Sequence, residues 1–307
     1  MKKLVALSFL LVLSGCFGNG AGPETVDIEE TGQQVGDAMA SIDEVGGSTG
    51  GIALQNSNPS FDEMRSARKT FARRSPADLR DAWYENLLVP TANATLCSNA
   101  STFSACSAHT MIRTFGNCTV GKATFHGVVG FDWTHAAPSA TCDLAVAGDY
   151  VTRTPNFTVT GRRHATLSVT ALTAAAERLT VVGGAGTSRV LQFDNDGIRR
   201  VFSVSGTSLF DFTTSTTAPL SIVGTTRASR VLSTGTLHVV NNLTGVTCDY
   251  SPTNVAWISS CNCPTSGSWA GTCSNGVNTT LVLSGCGTAT LTIGPESTDL
   301  TFDRCGS

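Results

Sequence analysis

Ten cysteines between Cys97 and Cys305 constrain this chain more than any other feature, because they fall into two groups that are each even. Four stand at Cys97, Cys106, Cys118 and Cys142, and six at Cys248, Cys261, Cys263, Cys273, Cys286 and Cys305. Even, clustered cysteines read as a disulfide framework closed in an oxidising compartment. Metal binding is the competing chemistry for Cys261-Asn262-Cys263 and the five histidines. A structural zinc site wants a second cysteine pair at similar spacing, so disulfides are expected, with no metal or other cofactor.

The eleventh cysteine stands apart. Met1-Lys2-Lys3 is a short basic segment, residues 4–13 form a region that is apolar but for Ser8, and Leu13-Ser14-Gly15-Cys16 follows at once. The order and spacing resemble a bacterial lipoprotein precursor. That resemblance implies cleavage between Gly15 and Cys16 and attachment of diacylglycerol and palmitate-type acyl chains to Cys16. It implies a bilayer as partner, and Phe17 after the cysteine implies the outer membrane as address. A region of ten residues is too short to span a bilayer, and no later run approaches the ~20 needed.

Composition excludes some partners. The chain has 20 Lys+Arg against 23 Asp+Glu, a net charge of -3, so no global field attracts nucleic acid. Hydrophobic content of 41% is too high for a disordered chain.

Four zones follow. Residues 1–15 are the signal segment. Residues 16–59 are Gly/Ser-rich and acidic, with Glu24, Asp27, Glu29, Glu30, Asp37, Asp43 and Glu44 and no base among them, and read as a solvated tether. Val35, Met39, Ile42 and Val45 recur at helical spacing, which predicts one amphipathic helix over residues 32–45. Residues 60–90 carry helix signals: a Ser60/Glu63 capping box, Phe61, Met64 and Phe71 on one stripe, then Ser75-Pro76 opening a turn with Leu79, Trp83 and Leu87. Arg65, Arg68, Lys69, Arg73, Arg74 and Arg80 make that segment basic, enough to pair with the acidic helix before it.

Residues 91–307 change to short runs rich in Val, Thr, Leu and Phe separated by Gly, Asn and Asp, an all-β signature. The expected fold is mainly β, an antiparallel sandwich or a long twisted meander, stapled by disulfides. Residues 188–193 and 198–204 flank Asp194-Asn195-Asp196-Gly197 and read as a hairpin. Thr288 to Ile293 and Thr298 to Phe302 flank Gly294-Pro295-Glu296-Ser297, and Cys286 and Cys305 lie equally far from its centre. Residues equidistant from a turn face each other, so Cys286 should bond Cys305. The same symmetry around Gly267-Ser268 pairs Cys263 with Cys273 and leaves Cys248 for Cys261. In the first group, elimination gives Cys97 with Cys106 and Cys118 with Cys142, though four cysteines allow three connectivities.

No catalytic constellation is evident. Gly46-Gly47-Ser48-Thr49-Gly50 has the nucleophile-elbow spacing but the wrong setting, with no strand before it. Asp194-Asn195-Asp196-Gly197 opens like a calcium loop and lacks the later Glu ligand. Trp257, Trp269 and Tyr250 lie among the second group of cysteines and either pack over the disulfides or stack on a ligand. The expected function is therefore a membrane-anchored envelope lipoprotein with a structural or ligand-binding role and no catalysis. The alternative is an envelope hydrolase or carbohydrate-active enzyme using Asp132, His126 and His135, which requires those three side chains to converge.

Overall fold

A computed structural model describes residues 23–46, 101–120, 123–161, 164–302 and 305. Cys16, the expected helical segment 60–90 and Cys97 lie outside the described residues, as does the last stretch of the expected tether.

Among the described residues one long helix, α1 (Pro23–Gly46), precedes fifteen strands. They are β1 (Ser101–Phe103), β2 (Thr110–Val120), β3 (Ala123–Thr134), β4 (Tyr150–Thr160), β5 (Ala165–Ala171), β6 (Glu177–Gly183), β7 (Val190–Asn195) and β8 (Ile198–Val204). After them come β9 (Thr207–Val223), β10 (Val231–Asn241), β11 (Thr247–Ala256), β12 (Ser266–Cys273), β13 (Asn278–Gly285), β14 (Thr288–Ile293) and β15 (Glu296–Thr301). All belong to one sheet, and every pairing is antiparallel.

The topology is simpler than the strand count. β5 and β6 both lie along β4, at residues 156–160 and 150–153, so they are two halves of one strand interrupted at residues 172–176. β7 and β8 likewise share β9, at residues 220–223 and 207–214. With these halves joined, each strand pairs with its sequence neighbours from β1 to β15, a long meander as expected.

The expected hairpin between residues 188 and 204 is corrected. β7 and β8 do not pair with each other, and Asp194-Asn195-Asp196-Gly197 is a break within one strand. Asn195 is buried there, taking the amide of Gly197 at 2.8 Å and reaching Thr214 at 3.5 Å. The true turn comes at Ser205-Gly206, with φ of 50° and 84°, the left-handed pair a two-residue hairpin needs.

The tether reading is also corrected over residues 30–43, the buried stretch of α1. The helix starts at a proline, holds acids in its first turns where the helix dipole favours them, and ends at a glycine. It is not solvated: every residue from 30 to 43 is buried. It touches β4, β6, β9, β10, β14 and β15, so the sheet curls around it. Gly32 and Gly36 make that approach close. A Cβ at Gly36 would come within 2.3 Å of the Phe302 ring, and one at Gly32 within 3.2 Å of Leu300.

Asp37 and Asp43 are paired rather than hydrated. Asp43 accepts from both arms of Arg227 at 2.8 and 2.6 Å and from Arg230 at 3.0 Å. Asp37 lies 3.2 Å from Arg200. Burial pulls the Arg230 guanidinium down from its ordinary pKa, and Asp43 opposes that shift. Thr31 bonds the buried Tyr250 hydroxyl at 2.7 Å, and Gln33 donates to the Thr301 carbonyl of the terminal strand at 2.8 Å. That last bond covers part of an edge that would otherwise offer unpaired backbone groups.

The cysteines do form disulfides, but not in the expected pairs. The bonds are Cys106–Cys142, Cys248–Cys273, Cys261–Cys286 and Cys263–Cys305. Cys286–Cys305, Cys263–Cys273, Cys248–Cys261, Cys118–Cys142 and Cys97–Cys106 are therefore all overturned. The difference is one of register. Gly294-Pro295 alone makes the last turn, Ile293 pairs with Glu296, and Thr288 pairs with Thr301. The symmetry centre thus lies one residue earlier than assumed, which places Cys286 and Cys305 out of register. Gly267 and Ser268 are strand residues of β12, not a turn. The same symmetry does hold for Cys248 and Cys273, directly opposed on β11 and β12.

Candidate interaction surface

The inner face of the sheet is closed by its own side chains and by α1. Trp257, Trp269 and Tyr250 are buried, so they pack inward and form no stacking platform. Arg230 lies over the Trp257 ring at 5.5 Å. Arg153 and Glu177, both buried, pair at 2.7 Å across β4 and β6.

The proposed catalytic trio does not assemble. His126 and Asp132 are exposed on the same outer face of β3, six residues apart, which is ~20 Å along a strand. His135 sits beyond the end of β3 and serves the loop that follows. Its Nε2 donates to the Thr141 carbonyl at 2.9 Å, and its Nδ1 faces Asp149 at 3.6 Å. Asp149 accepts from the amides of Ala136, Ala145 and Val146 at 2.9, 2.7 and 2.9 Å. Burial pushes that carboxyl up, but the three amides and His135 hold it below its ordinary range. Arg189 donates to the carbonyls of Leu144 and Ala145, and Cys106–Cys142 ties the same loop to the segment before β2. These groups fix a loop.

A second His–Asp pair was not anticipated. His238 on β10 and Asp249 on β11 are register partners, joined Nδ1 to Oδ1 at 2.7 Å. Reflection through the turn between β10 and β11 would have found it. Ser215 faces His238 on β9, so serine, histidine and aspartate stand in one cross-strand row. A hydrolase needs more than that order. No hydrogen bond joins Ser215 to His238 among the described contacts, and the row lies on an open sheet face whose amides serve the ladder. Among the described residues no group of three or more His, Cys, Asp or Glu could hold a metal ion.

What distinguishes the outside is its pattern. The outer face carries hydroxyl rows across strands, such as Thr124, Thr160, Thr166, Ser203 and Ser208 in register order. Thr166 and Ser203 bond at 2.7 Å, and Thr292 and Ser297 at 2.9 Å. Such rows satisfy each other and water without charge. One row breaks the pattern. Gly183, Val190, Val223, Val231 and Ala256 are register partners across β6, β7, β9, β10 and β11. Val182 and Ile258 flank this row, and Val182, Val223, Val231 and Ile258 are exposed. The row lies at the end of the sheet where α1 finishes, beside Arg227 and Arg230. Contiguous apolar surface rimmed by polar residues is the usual mark of a contact surface.

Neither any known protein family nor any curated protein or solved structure matches the chain.

Proposed function

We propose that this protein is an envelope lipoprotein, held in the outer membrane through acylated Cys16, whose mature domain works by contact through its outer surface and not by catalysis. The observation that carries this reading is the filled interior: α1 occupies the space inside the curled sheet, so a ligand has to be met from outside. The valine row is the surface best suited to that contact, because, unlike the hydroxyl rows of the outer face, it is apolar across five strands. Disulfides and a buried helix make the domain stiff, which suits a structural or docking module. Nothing in its charge favours nucleic acid.

Two measurements test the reading. Labelled fatty acid should enter the wild-type protein and not Cys16→Ser, which should leave the membrane fraction. A photo-crosslinker placed at Val223 in cells should give one discrete protein adduct that Val231→Asp suppresses. Loss of that adduct's dependence on Val231, or a wild-type protein that takes up no fatty acid, would overturn the corresponding half.

A further inference from the structure

The direction of α1 fixes which end of the domain faces the bilayer. Thr31 meets Tyr250, the fourth residue of β11, while Asp43 meets Arg230, the residue before β10. Twelve helical residues separate Thr31 from Asp43, ~18 Å at 1.5 Å each. From Tyr250 to Ala256, at the far end of β11, is six strand residues, ~20 Å. The helix therefore runs along the strands. It enters at the end bearing the turns at residues 205–206, 242–246, 274–277 and 294–295, and finishes at the end bearing residues 224–230 and the valine row.

Pro23 lies eight residues before Thr31, ~12 Å nearer the entry end. Only residues 17–22 separate it from Cys16, and seven Cα steps reach at most ~25 Å. An acyl chain on Cys16 therefore keeps the entry end close to the headgroups. That end has apolar side chains to meet them. Leu209 and Leu243 are 40% and 51% exposed on the adjacent ends of β9 and the turn after β10. The turn is held in register by the Asn242 amide donating to the Asp211 carbonyl at 2.8 Å. Asn241 Oδ1 accepts from the amides of Leu243 and Thr244 at 3.0 and 3.3 Å, so Leu243 is carried on a braced turn.

We propose that the entry end is a membrane-contacting surface, with Leu209 and Leu243 seated at the lipid–water boundary of the bilayer that holds the Cys16 lipid. This rests on the lipoprotein reading and extends it: the domain stands on the membrane, and the valine row points away from it.

The test uses the full-length acylated protein in phosphatidylcholine vesicles, with p-benzoylphenylalanine placed in turn at Leu209, Leu243 and Ile258, irradiated and analysed by mass. Phospholipid adducts at 209 and 243 and none at 258 are expected. With Cys16 carrying its acyl mass, adducts at 258 instead, or at none of the three, overturn the orientation and leave the anchor standing. A Cys16 peptide without acyl mass overturns both.

Discussion

Gly36→Ala separates a packed helix from a solvated one by the sign of its effect. In a solvated helix the change removes glycine's conformational cost and stabilises by ~1 kcal/mol. In the curled sheet the new methyl would lie 2.3, 2.7 and 3.0 Å from three carbons of the Phe302 ring. Phe302 is buried and three residues from the Cys263–Cys305 bond, so its ring has little room to retreat. Overpacking of that kind costs ~1–3 kcal/mol, and three close contacts on one ring argue for the upper half. After subtracting the propensity gain, a net loss of about 1–2 kcal/mol remains. That is a fall in Tm of roughly 2–8 °C for a domain of this size. Gly32→Ala is the internal control, because its nearest contact is the mobile end of Leu300 at 3.2 Å. It should be neutral or slightly stabilising. Thermal and urea unfolding of protein beginning at Phe17, followed by circular dichroism, reads both. If Gly36→Ala raises Tm as much as Gly32→Ala does, α1 does not pack as described.

Three further outcomes are expected. Asp43→Ala leaves the fully buried Arg230 without its carboxylate, and removing one partner of such a pair costs ~3–5 kcal/mol; urea unfolding should show this loss, with part regained when Arg230→Met is added. Reducing Cys263–Cys305, which spans 42 residues, should cost about 4 kcal/mol in the chain-entropy model, and non-reducing peptide maps should join Cys263 to Cys305 and Cys261 to Cys286. Asp149 is held below its ordinary pKa when folded, so its stabilisation is complete above the unfolded value and is lost as pH falls through the folded one. Asp149→Asn should therefore be less stable at neutral pH, and its disadvantage should shrink on acidification; an unchanged gap down to the lowest pH that keeps the fold would refute that role.

The β domain was legible because Val, Thr and Phe runs between Gly and Asn report strands locally, and a meander joins neighbours through short turns. The disulfides were not, because pairing depends on register, and one residue of error in the Gly294-Pro295 turn moves both partners. The helix was half legible. Val35, Met39 and Ile42 gave its period, but seven acids without a base argued for water. The neutralising arginines arrive from Arg200, Arg227 and Arg230, the last 187 residues after the aspartate it meets. The close approach at Gly32 and Gly36 left no mark, because a sequence does not say whether a missing side chain serves freedom or close contact. For the surface, each valine looked like an ordinary strand residue. Only the register of five strands sets them in one row.

Hydrogen exchange under native conditions tests the buried helix most directly. Amides of residues 30–43 should exchange only through global unfolding, with protection equal to that of inner strands such as β10 and β11. Exchange of that segment within seconds, while the strands remain protected, would show that the helix is not the core around which the sheet is wound.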